Sequence, residues 1–317
     1  MENFGVIVIV SKNDLLFAKG CCASIHYFMP GVPICLLVDG DFSLEGLETA
    51  YGAKVLRRKD VKNDFLRKES YGWGITRMIA FWESPFEYFL LIDADTNLWG
   101  DLRQHASFEA HDLIIDHPKY GYSDADLELY FFDKKMMREH FPHFDIYHHP
   151  YVCPAVLMSR RLVFDLEEYK TLLRFTKQHP DKFKCGDMGF INYLFFNGQA
   201  QGKFRLGASD FQYLVCDYQP GETQQDFALV DGLPAVKLPP TVMHWTGTAK
   251  PTYHNPFGYY TSPMVFFREQ FYRDTTQLNP IQIAQKIQQE DKAWETRVKW
   301  SNYRKVILQK INRLTSI

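Results

Sequence analysis

The sequence predicts an α/β fold in which helices cover both faces of a parallel sheet. Residues 6–10, 33–38 and 88–92 are short runs in which nearly every residue is apolar. Segments of helical character lie between these runs. A strand that is apolar at consecutive positions is buried on both faces, which is typical of parallel sheets between helical layers. Ligands of such sheets collect at the carboxyl ends of the strands.

The predicted elements alternate over the first hundred residues. Strands are expected at residues 6–10, 33–38, 54–56 and 88–92, and helices at 15–27, 44–51 and 72–82. Residues 101–150 are rich in His, Tyr and Phe, and we expect loops with short strands there. Further along, the pattern predicts a strand at 155–159, helices at 165–179 and 186–196, and short strands up to residue 244.

The end of the chain predicts a helical tail after one large domain. Residues 1–280 are expected to form the domain and residues 281–317 a basic amphipathic helix. Residues 297–313 carry Lys and Arg but no acidic residue, and their apolar side chains recur at three- and four-residue steps. Two interpretations fit this tail equally. It lies on an anionic membrane surface, or it packs on the protein's own domain.

Composition and charge exclude several classes of protein. The chain has 317 residues, of which 46% are hydrophobic, so it can bury a sizeable core. Its 36 basic and 38 acidic residues give a formal net charge of −2, which argues against nucleic acid as a partner. The six cysteines include no C-x-x-C pair, so we expect buried, reduced thiols in a cytoplasmic protein. No apolar run reaches the length of a membrane span, so contact with the inner membrane face would be peripheral.

An Asp-x-Asp motif directly after the strand 88–92 is the first candidate for a catalytic site. Side chains two residues apart in a strand point to the same side, so Asp93 and Asp95 would present two carboxylates together. Such oxygens suit Mn²⁺ or Mg²⁺, and the metal would neutralise a diphosphate leaving group. The small Ala94 between them would let a ligand approach closely. Asp124 and Asp126 repeat the motif in a polar stretch, where we expect a loop.

Four further segments, with this motif, resemble the family 8 glycosyltransferases, the retaining enzymes that include glycogenin and bacterial galactosyltransferases. Residues 13–20 (NDLLFAKG) are similar to the family's N-D-x-Y-A segment, and Arg77 lies where the family has a Lys or Arg. Residues 186–192 (GDMGFIN) resemble G-D-Q-G-x-x-N, and residues 244–251 (HWTGTAKP) resemble H-x-x-G-x-x-K-P. Together the segments span most of residues 5–251.

The resemblance implies a GT-A fold, which is a Rossmann-like mixed sheet flanked by helices, and a metal-dependent site for a nucleotide-sugar. The implied metal ligands are Asp93, Asp95 and His244, with Mn²⁺ or Mg²⁺ as the ion and a UDP-sugar as the donor. Asp187 would bind the donor sugar and, with Arg77, act at the reacting centre. The residues implied in donor binding are Ser11, Phe17 (which would stack on uracil), Arg77, Ala94, Gly247 and Lys250. The acceptor would be a glycan, a lipid-linked sugar or a small molecule.

Three departures from the family pattern concern the half of the site that would hold the sugar. Met188 stands where the family has Gln, Cys153-Pro154-Ala155 stands where it has N-x-G, and Thr252 replaces an aromatic residue. Because Met188 cannot act as a nucleophile, we expect the acceptor to attack from the face that the phosphate leaves. Retention would then need no covalent intermediate.

Two other functions stay open at the level of the sequence. A sugar-1-phosphate nucleotidyltransferase shares a similar sheet, but its loop after the first strand is rich in Gly and basic residues. Residues 11–14 are Ser-Lys-Asn-Asp, which argues against that activity. A non-catalytic nucleotide-sugar-binding protein is the other alternative, and Met188 and Cys153 favour it.

Overall fold

The computed structural model describes residues 3–72, 74–118, 121–180, 182–247 and 250–315, with side chains up to residue 300. The strands are β1 (Phe4–Ser11), β2 (Ile34–Asp39), β3 (Lys54–Leu56), β4 (Tyr88–Asp93), β5 (Thr96–Trp99), β6 (Leu113–Asp116), β7 (Val156–Arg160), β8 (Leu206–Ser209), β9 (Gln212–Leu214), β10 (Leu229–Val230), β11 (Leu233–Pro234) and β12 (Thr241–His244). The α-helices are α1 (Leu15–Phe28), α2 (Leu47–Ala50), α3 (Asp64–Glu69), α4 (Ala80–Glu83), α5 (Asp124–Asp126), α6 (Lys134–His140), α7 (Leu166–Gln178), α8 (Met188–Ala200), α9 (Pro220–Asp226), α10 (Ser262–Thr275) and α11 (Pro280–Thr315).

In the described part of the chain, seven strands form the central sheet in the order β3-β2-β1-β4-β7-β6-β8. The strand β7 is antiparallel to both of its neighbours, whereas the other adjacent pairs are parallel. The sheet is therefore mixed, and the purely parallel arrangement expected from the first hundred residues holds only from β3 to β4. Because β2, β4 and β6 run the same way, their last residues, Asp39, Asp93 and Asp116, lie along one edge.

The two faces of the sheet are buried against different helices, which explains why its strands are apolar at consecutive positions. Val8 and Ile92 belong to a core cluster with α1, α10 and α11, whereas Ile7 and Leu91 belong to a cluster with α4, α7 and α8. Successive residues of a strand point to opposite faces, so each strand contributes to both clusters. The predicted α/β architecture is confirmed.

A second sheet, in the order β5-β12-β9, lies next to the carboxyl end of β4. The strand β12 is antiparallel to β5 and parallel to β9. In this register His244 pairs with Thr96, which is the residue after Asp95. The pairing therefore brings the end of β12 to the Asp-x-Asp motif.

The helix expected from residue 281 exists, but its first turns belong to the core of the domain. Ile283 and Ile287 are 1% and 0% exposed. Arg268 of α10 pairs with Asp291 at 2.6 Å, and neither side chain is exposed. The first turns of α11 therefore pack on the preceding residues, and the division at residue 280 stays a prediction. Side chains after residue 300, including the predicted apolar positions Tyr303, Ile307, Ile311 and Leu314, lie outside the described residues.

Three local predictions differ from the structure. Residues 75–79 form a 3₁₀ helix ahead of α4, and the left-handed Gly74 (φ +81°) prevents a regular helix from starting at residue 72. Residues 124–126 form a turn of helix and not a loop. The hydroxyl oxygen of Ser123 accepts the N–H of Asp126, and the carboxylate of Asp126 accepts the N–H of Ser123. The segment 101–150 also contains α6 and the π-helix Leu127–Phe131, which the sequence analysis did not predict.

The cysteine side chains differ from one another in their exposure. All six cysteine side chains are free, but Cys185 and Cys216 are exposed, so the expectation that all are buried is wrong.

Among the described residues, no helix combines the length and the apolar character that crossing a bilayer requires.

Candidate active site

Asp93, Asp95 and His244 converge at the carboxyl end of β4. One possible ligand atom from each residue lies within 4.8 Å of the others. The backbone fixes this convergence, because the N–H of Trp245 donates to the carbonyl oxygen of Asp95 at 3.2 Å beside the β5–β12 pairing. The metal ligands that the resemblance implied are therefore brought together by strand pairing.

The surroundings of His244 leave its Nε2 atom available to a metal. The Nδ1 atom lies 3.2 Å from Oε1 of Gln212, and Nε2 of Gln212 donates to the carbonyl oxygen of Cys153 at 3.2 Å. Because an amide oxygen only accepts, Nδ1 carries the hydrogen and Nε2 carries the lone pair. Burial lowers the pKa of His244, which keeps the ring neutral. Nε2 lies 3.6 Å from Oδ1 of Asp95, so the donor set fits a hard divalent cation such as Mn²⁺.

Lys250 adds a positive charge on the other side of Asp95. Its ammonium group contacts Oδ2 of Asp95 and donates to the carbonyl oxygen of Trp245 at 3.3 Å. Burial opposes the ionisation of Asp95, but Lys250 and His244 outweigh it and lower the pKa of the carboxyl. Gly247, between these residues, has φ +62°, and no atom lies within 4 Å of the place a Cβ would take. Thr248 and Ala249 of the motif lie outside the described residues.

Arg77 joins two acidic residues of the site. Its Nη2 atom donates to both oxygens of Asp93, at 3.0 and 3.2 Å, and its Nη1 atom donates to the carbonyl oxygen of Pro154. Its Nε atom lies 2.6 Å from Oδ2 of Asp187, an ion pair without the alignment of a hydrogen bond. The side chain is 7% exposed. Arg77 is therefore held between Asp93 and Asp187, and its role in donor binding stays a prediction.

Asp187 is placed by an unusual stretch of backbone immediately before α8. Cys185 and Gly186 both have left-handed backbone angles, with φ +48° and +68°. Asp187 occupies the N-cap position of α8, but its side chain does not cap the helix. It extends to Arg77 instead, and burial raises the pKa of its carboxyl despite that partner. The carboxylate of Asp187 therefore belongs to the same cluster as Arg77 and Asp93, and its role towards the donor sugar stays a prediction.

Three residues predicted to bind the donor have different surroundings. Phe17 is 0% exposed and packs edge-on against Trp294 with ring centroids 5.5 Å apart, so its ring lies in the core, and stacking on uracil stays a prediction. Ala94 is 2% exposed and belongs to the core cluster, so its methyl group faces the interior and does not line the site. Ser11 ends β1 at the same edge as Asp93, and its hydroxyl donates to Oδ2 of Asp14 at 2.5 Å.

No protein-family model matches this chain, and no curated protein matches it in sequence. Solved structures do match its fold. The galactosyltransferase LgtC, in complex with donor and acceptor sugar analogues, gives a TM-score of 0.52 at 12% identity over 87% of this chain and 97% of that chain. The glycosyltransferase GlyE of Streptococcus pneumoniae TIGR4 gives 0.52 at 13% identity over 94% of this chain and 64% of that chain. The bifunctional glycosyltransferase WbbM gives 0.52 at 13% identity over 86% and 52%. The fold is GT-A.

In this GT-A sheet, further residues join the site that the sequence analysis did not select. Burial raises the pKa of Asp14 to about 6, and the negative charge of the nearby Asp95 contributes to the same shift. Gln212 orients His244, yet a single polar residue between Phe211 and Tyr213 gives no signal in the sequence. Asp116 follows the apolar run Leu113–Ile115, the same signal that identified Asp93, and could have been found in that way.

A cavity of about 560 Å³ adjoins His244, the residue at the end of β12. Cys153 and Gln212 line it on the side of His244, with Met188 next to Asp187. Further lining residues within the segment 101–150 are Asp116, Gly121, Tyr122, Asp126 and Tyr130. Cavities of this size hold small organic ligands.

Proposed function

We propose that this protein is a metal-dependent glycosyltransferase of the family 8 type. It transfers a hexose from a nucleotide-sugar, with a UDP-sugar as the favoured donor, to an acceptor hydroxyl with retention of configuration. The observation that carries the proposal is the convergence of Asp93, Asp95 and His244 at the carboxyl edge of a GT-A sheet. The fold alone would not define the chemistry.

The residues of this edge would hold Mn²⁺ or Mg²⁺ and the diphosphate of the donor. Asp93, Asp95 and His244 would hold the ion, which would supply electrostatic stabilisation to the phosphate oxygens of the leaving group. Gln212 keeps the imidazole in the binding tautomer, and Lys250 adds a second positive charge beside Asp95. Lys250 is the protein's own cation for the leaving group.

The sugar would lie between Asp187 and the cavity. Asp187 is the group we assign to its hydroxyls, and Arg77 is assigned the positioning of both Asp187 and Asp93. Met188 lines the cavity and offers no nucleophile. The acceptor oxygen would therefore attack from the face that the phosphate leaves, and its proton would pass to the leaving phosphate oxygen.

A donor screen tests this proposal directly. Release of nucleoside diphosphate is measured for a panel of nucleotide-sugars, with Mn²⁺ and with a chelator. We expect release from a UDP-sugar that stops on chelation. Asp95→Asn should abolish the activity, whereas Asp274→Asn, exposed on α10 and outside the cavity lining, should leave it within about twofold. If no nucleotide-sugar is bound or cleaved in a metal-dependent way, the proposal fails.

The second candidate function is a nucleotide-sugar-binding protein without transferase activity. Met188 and Cys153 favour this second function. Both line the cavity, and they stand where the family has the polar residues Gln and Asn. The same screen separates the two functions, because a binder would retain UDP-sugar in the presence of Mn²⁺ without releasing UDP.

The cytoplasmic location and the peripheral membrane contact through residues 297–317 stay predictions. Since α11 enters the core before residue 296, a chain that ends at residue 280 would lose core contacts as well as the tail. A chain that ends at residue 296 is the better comparison with the full chain. We expect only the full chain to sediment with vesicles of phosphatidylglycerol, and equal sedimentation would eliminate membrane binding by the tail.

A further inference from the structure

The walls of the 560 Å³ cavity are aromatic and acidic. The residues that define this character are Tyr122, Tyr130, Tyr218, Asp116, Asp126 and Asp217. Among the described residues that line the cavity, none is Lys, Arg or His. A ligand that enters the cavity therefore meets tyrosine and aspartate side chains, and the described lining residues supply no balancing cation.

The tyrosine rings are held in place by neighbouring rings. Tyr218 stacks on Tyr213 with centroids 3.9 Å apart and planes 14° apart, and Tyr122 meets Phe131 edge-on at 4.8 Å. Fixed aromatic faces suit a sugar ring, because the electron-rich face attracts the slightly positive C–H groups of a pyranose. Rings that are already ordered also lose little conformational freedom when a ligand binds.

Two of the carboxylates are fixed by hydrogen bonds. Oδ1 of Asp116 accepts the N–H groups of Phe211 and Gln212, at 3.1 and 2.9 Å, and the side chain is buried at the end of β6. Oδ2 of Asp126 accepts the N–H and the hydroxyl of Ser123, at 3.0 and 2.6 Å. Carboxylates readily accept hydrogen bonds from hydroxyl groups. An anionic ligand would instead lose hydration and face like charges, which is unfavourable where no cation compensates.

We propose that this cavity binds the acceptor and that the acceptor unit inside it is an uncharged sugar, free of phosphate, carboxylate and sulfate groups. This inference rests on the proposed function, because the cavity is called the acceptor side through its continuity with Gln212 and Cys153 at the metal ligands. The acidic walls select against charged analogues by leaving their anionic groups unpaired. Any phosphate of a lipid-linked acceptor lies outside the cavity.

Binding of two matched glycosides tests the inference without a need for turnover. p-Nitrophenyl β-D-glucoside and p-nitrophenyl β-D-glucuronide differ only at C6, where the second carries a carboxylate. Their dissociation constants are measured by calorimetry on the full chain with Mn²⁺ and UDP present. We expect the glucoside to bind at least about tenfold more tightly, because the carboxylate of the glucuronide would have no cationic partner among the described lining residues.

Charge reversal at the cavity supplies the matched variants. Asp217 is exposed and lines the cavity, so Asp217→Lys should reduce the preference for the glucoside to below about threefold. Asp274 is exposed on α10 away from the cavity, so Asp274→Lys should leave the preference unchanged. Equal or tighter binding of the glucuronide by the unaltered protein overturns the inference, and so does the absence of binding by both glycosides. Metal-dependent binding of UDP is recorded separately, so failure of the proposed function is distinguished from failure of this inference.

Discussion

A Cβ atom on Gly74 would lie 2.5 Å from the carboxyl carbon of Asp187. The space that glycine leaves is thus filled by the carboxylate, which extends from the start of α8 towards Arg77. Gly74 also has φ +81°, which few other residues adopt without strain. The position of Asp187 therefore depends on a residue more than a hundred positions earlier in the chain.

Replacing Gly74 by Ala should displace Asp187 and lower the rate of transfer by about tenfold or more, as small misplacements at a reacting centre do. Binding of UDP and Mn²⁺ should change little, because the three atoms nearest to that methyl group all belong to Asp187. Gly72→Ala is the control, since Gly72 has φ +80° but open space around its Cβ position. Equal losses of activity in both variants, measured as kcat and KM, would show that backbone strain and not Asp187 is responsible.

Replacing Gln212 by Leu should weaken Mn²⁺ binding by about 10- to 100-fold, the usual effect of removing a group that orients a ligating histidine. The leucine cannot accept the hydrogen of His244 Nδ1, so the ring loses its fixed tautomer. Gln212→Glu keeps an acceptor and should retain binding within a few-fold. The free Mn²⁺ signal in electron paramagnetic resonance measures both affinities without substrate. Unchanged affinity in the leucine variant would contradict the assigned role.

Ionisation of Asp116 should lower the free energy of unfolding as the pH rises from about 4 to 6. Burial raises the pKa of this carboxyl from 3.8 to about 6, so the folded state keeps a proton that the unfolded chain has already released. Stability is thus lost as pH rises through this interval, by up to about 3 kcal/mol. Asp116→Asn cannot ionise, so its melting temperature relative to the unaltered protein should increase between pH 4 and 7. A difference that is constant with pH would refute this assignment.

Replacing Asp291 by Ala should destabilise the protein by about 3–5 kcal/mol, because it leaves the buried guanidinium of Arg268 without this partner. The double variant Arg268→Met with Asp291→Leu should be more stable than the single variant. Glu269 forms a pair with Arg273 at 3.2 Å on the more solvated side of α10, so Glu269→Ala should cost less than about 1 kcal/mol. Urea unfolding monitored by circular dichroism gives these values, and similar costs for both single variants would count against a core role for α11.

The sequence was sufficient for the features that depend on local pattern. Apolar runs located β1, β2 and β4, and the position of Asp93 and Asp95 after such a run separated them from Asp124 and Asp126. The resemblance then added His244 and Lys250, which the structure places beside Asp95. These residues could be identified because strand burial and motif spacing both produce a local pattern in the sequence.

The features that the sequence analysis missed depend on contacts between distant segments. Phe17 has the same aromatic character in a binding site as in a core, and only the packing of Trp294 from α11 decides between them. Arg77 looks like a surface cation until Asp93 and Asp187 are placed around it. Gln212 acquires its role only because β9 lies beside β12. None of these relations has a local signature.

The reversed strand β7 has a consequence for how this site can change. It lies between β4, which ends in Asp93, and β6, which ends in Asp116, so two interstrand spacings, about 10 Å, separate these two strand ends. Backbone hydrogen bonds of β7 set this interval, and side chains do not. Under the proposed function, substitutions along the cavity wall would alter which acceptor sugar is admitted while this interval stays constant, so acceptor preference could evolve without changes in the donor half.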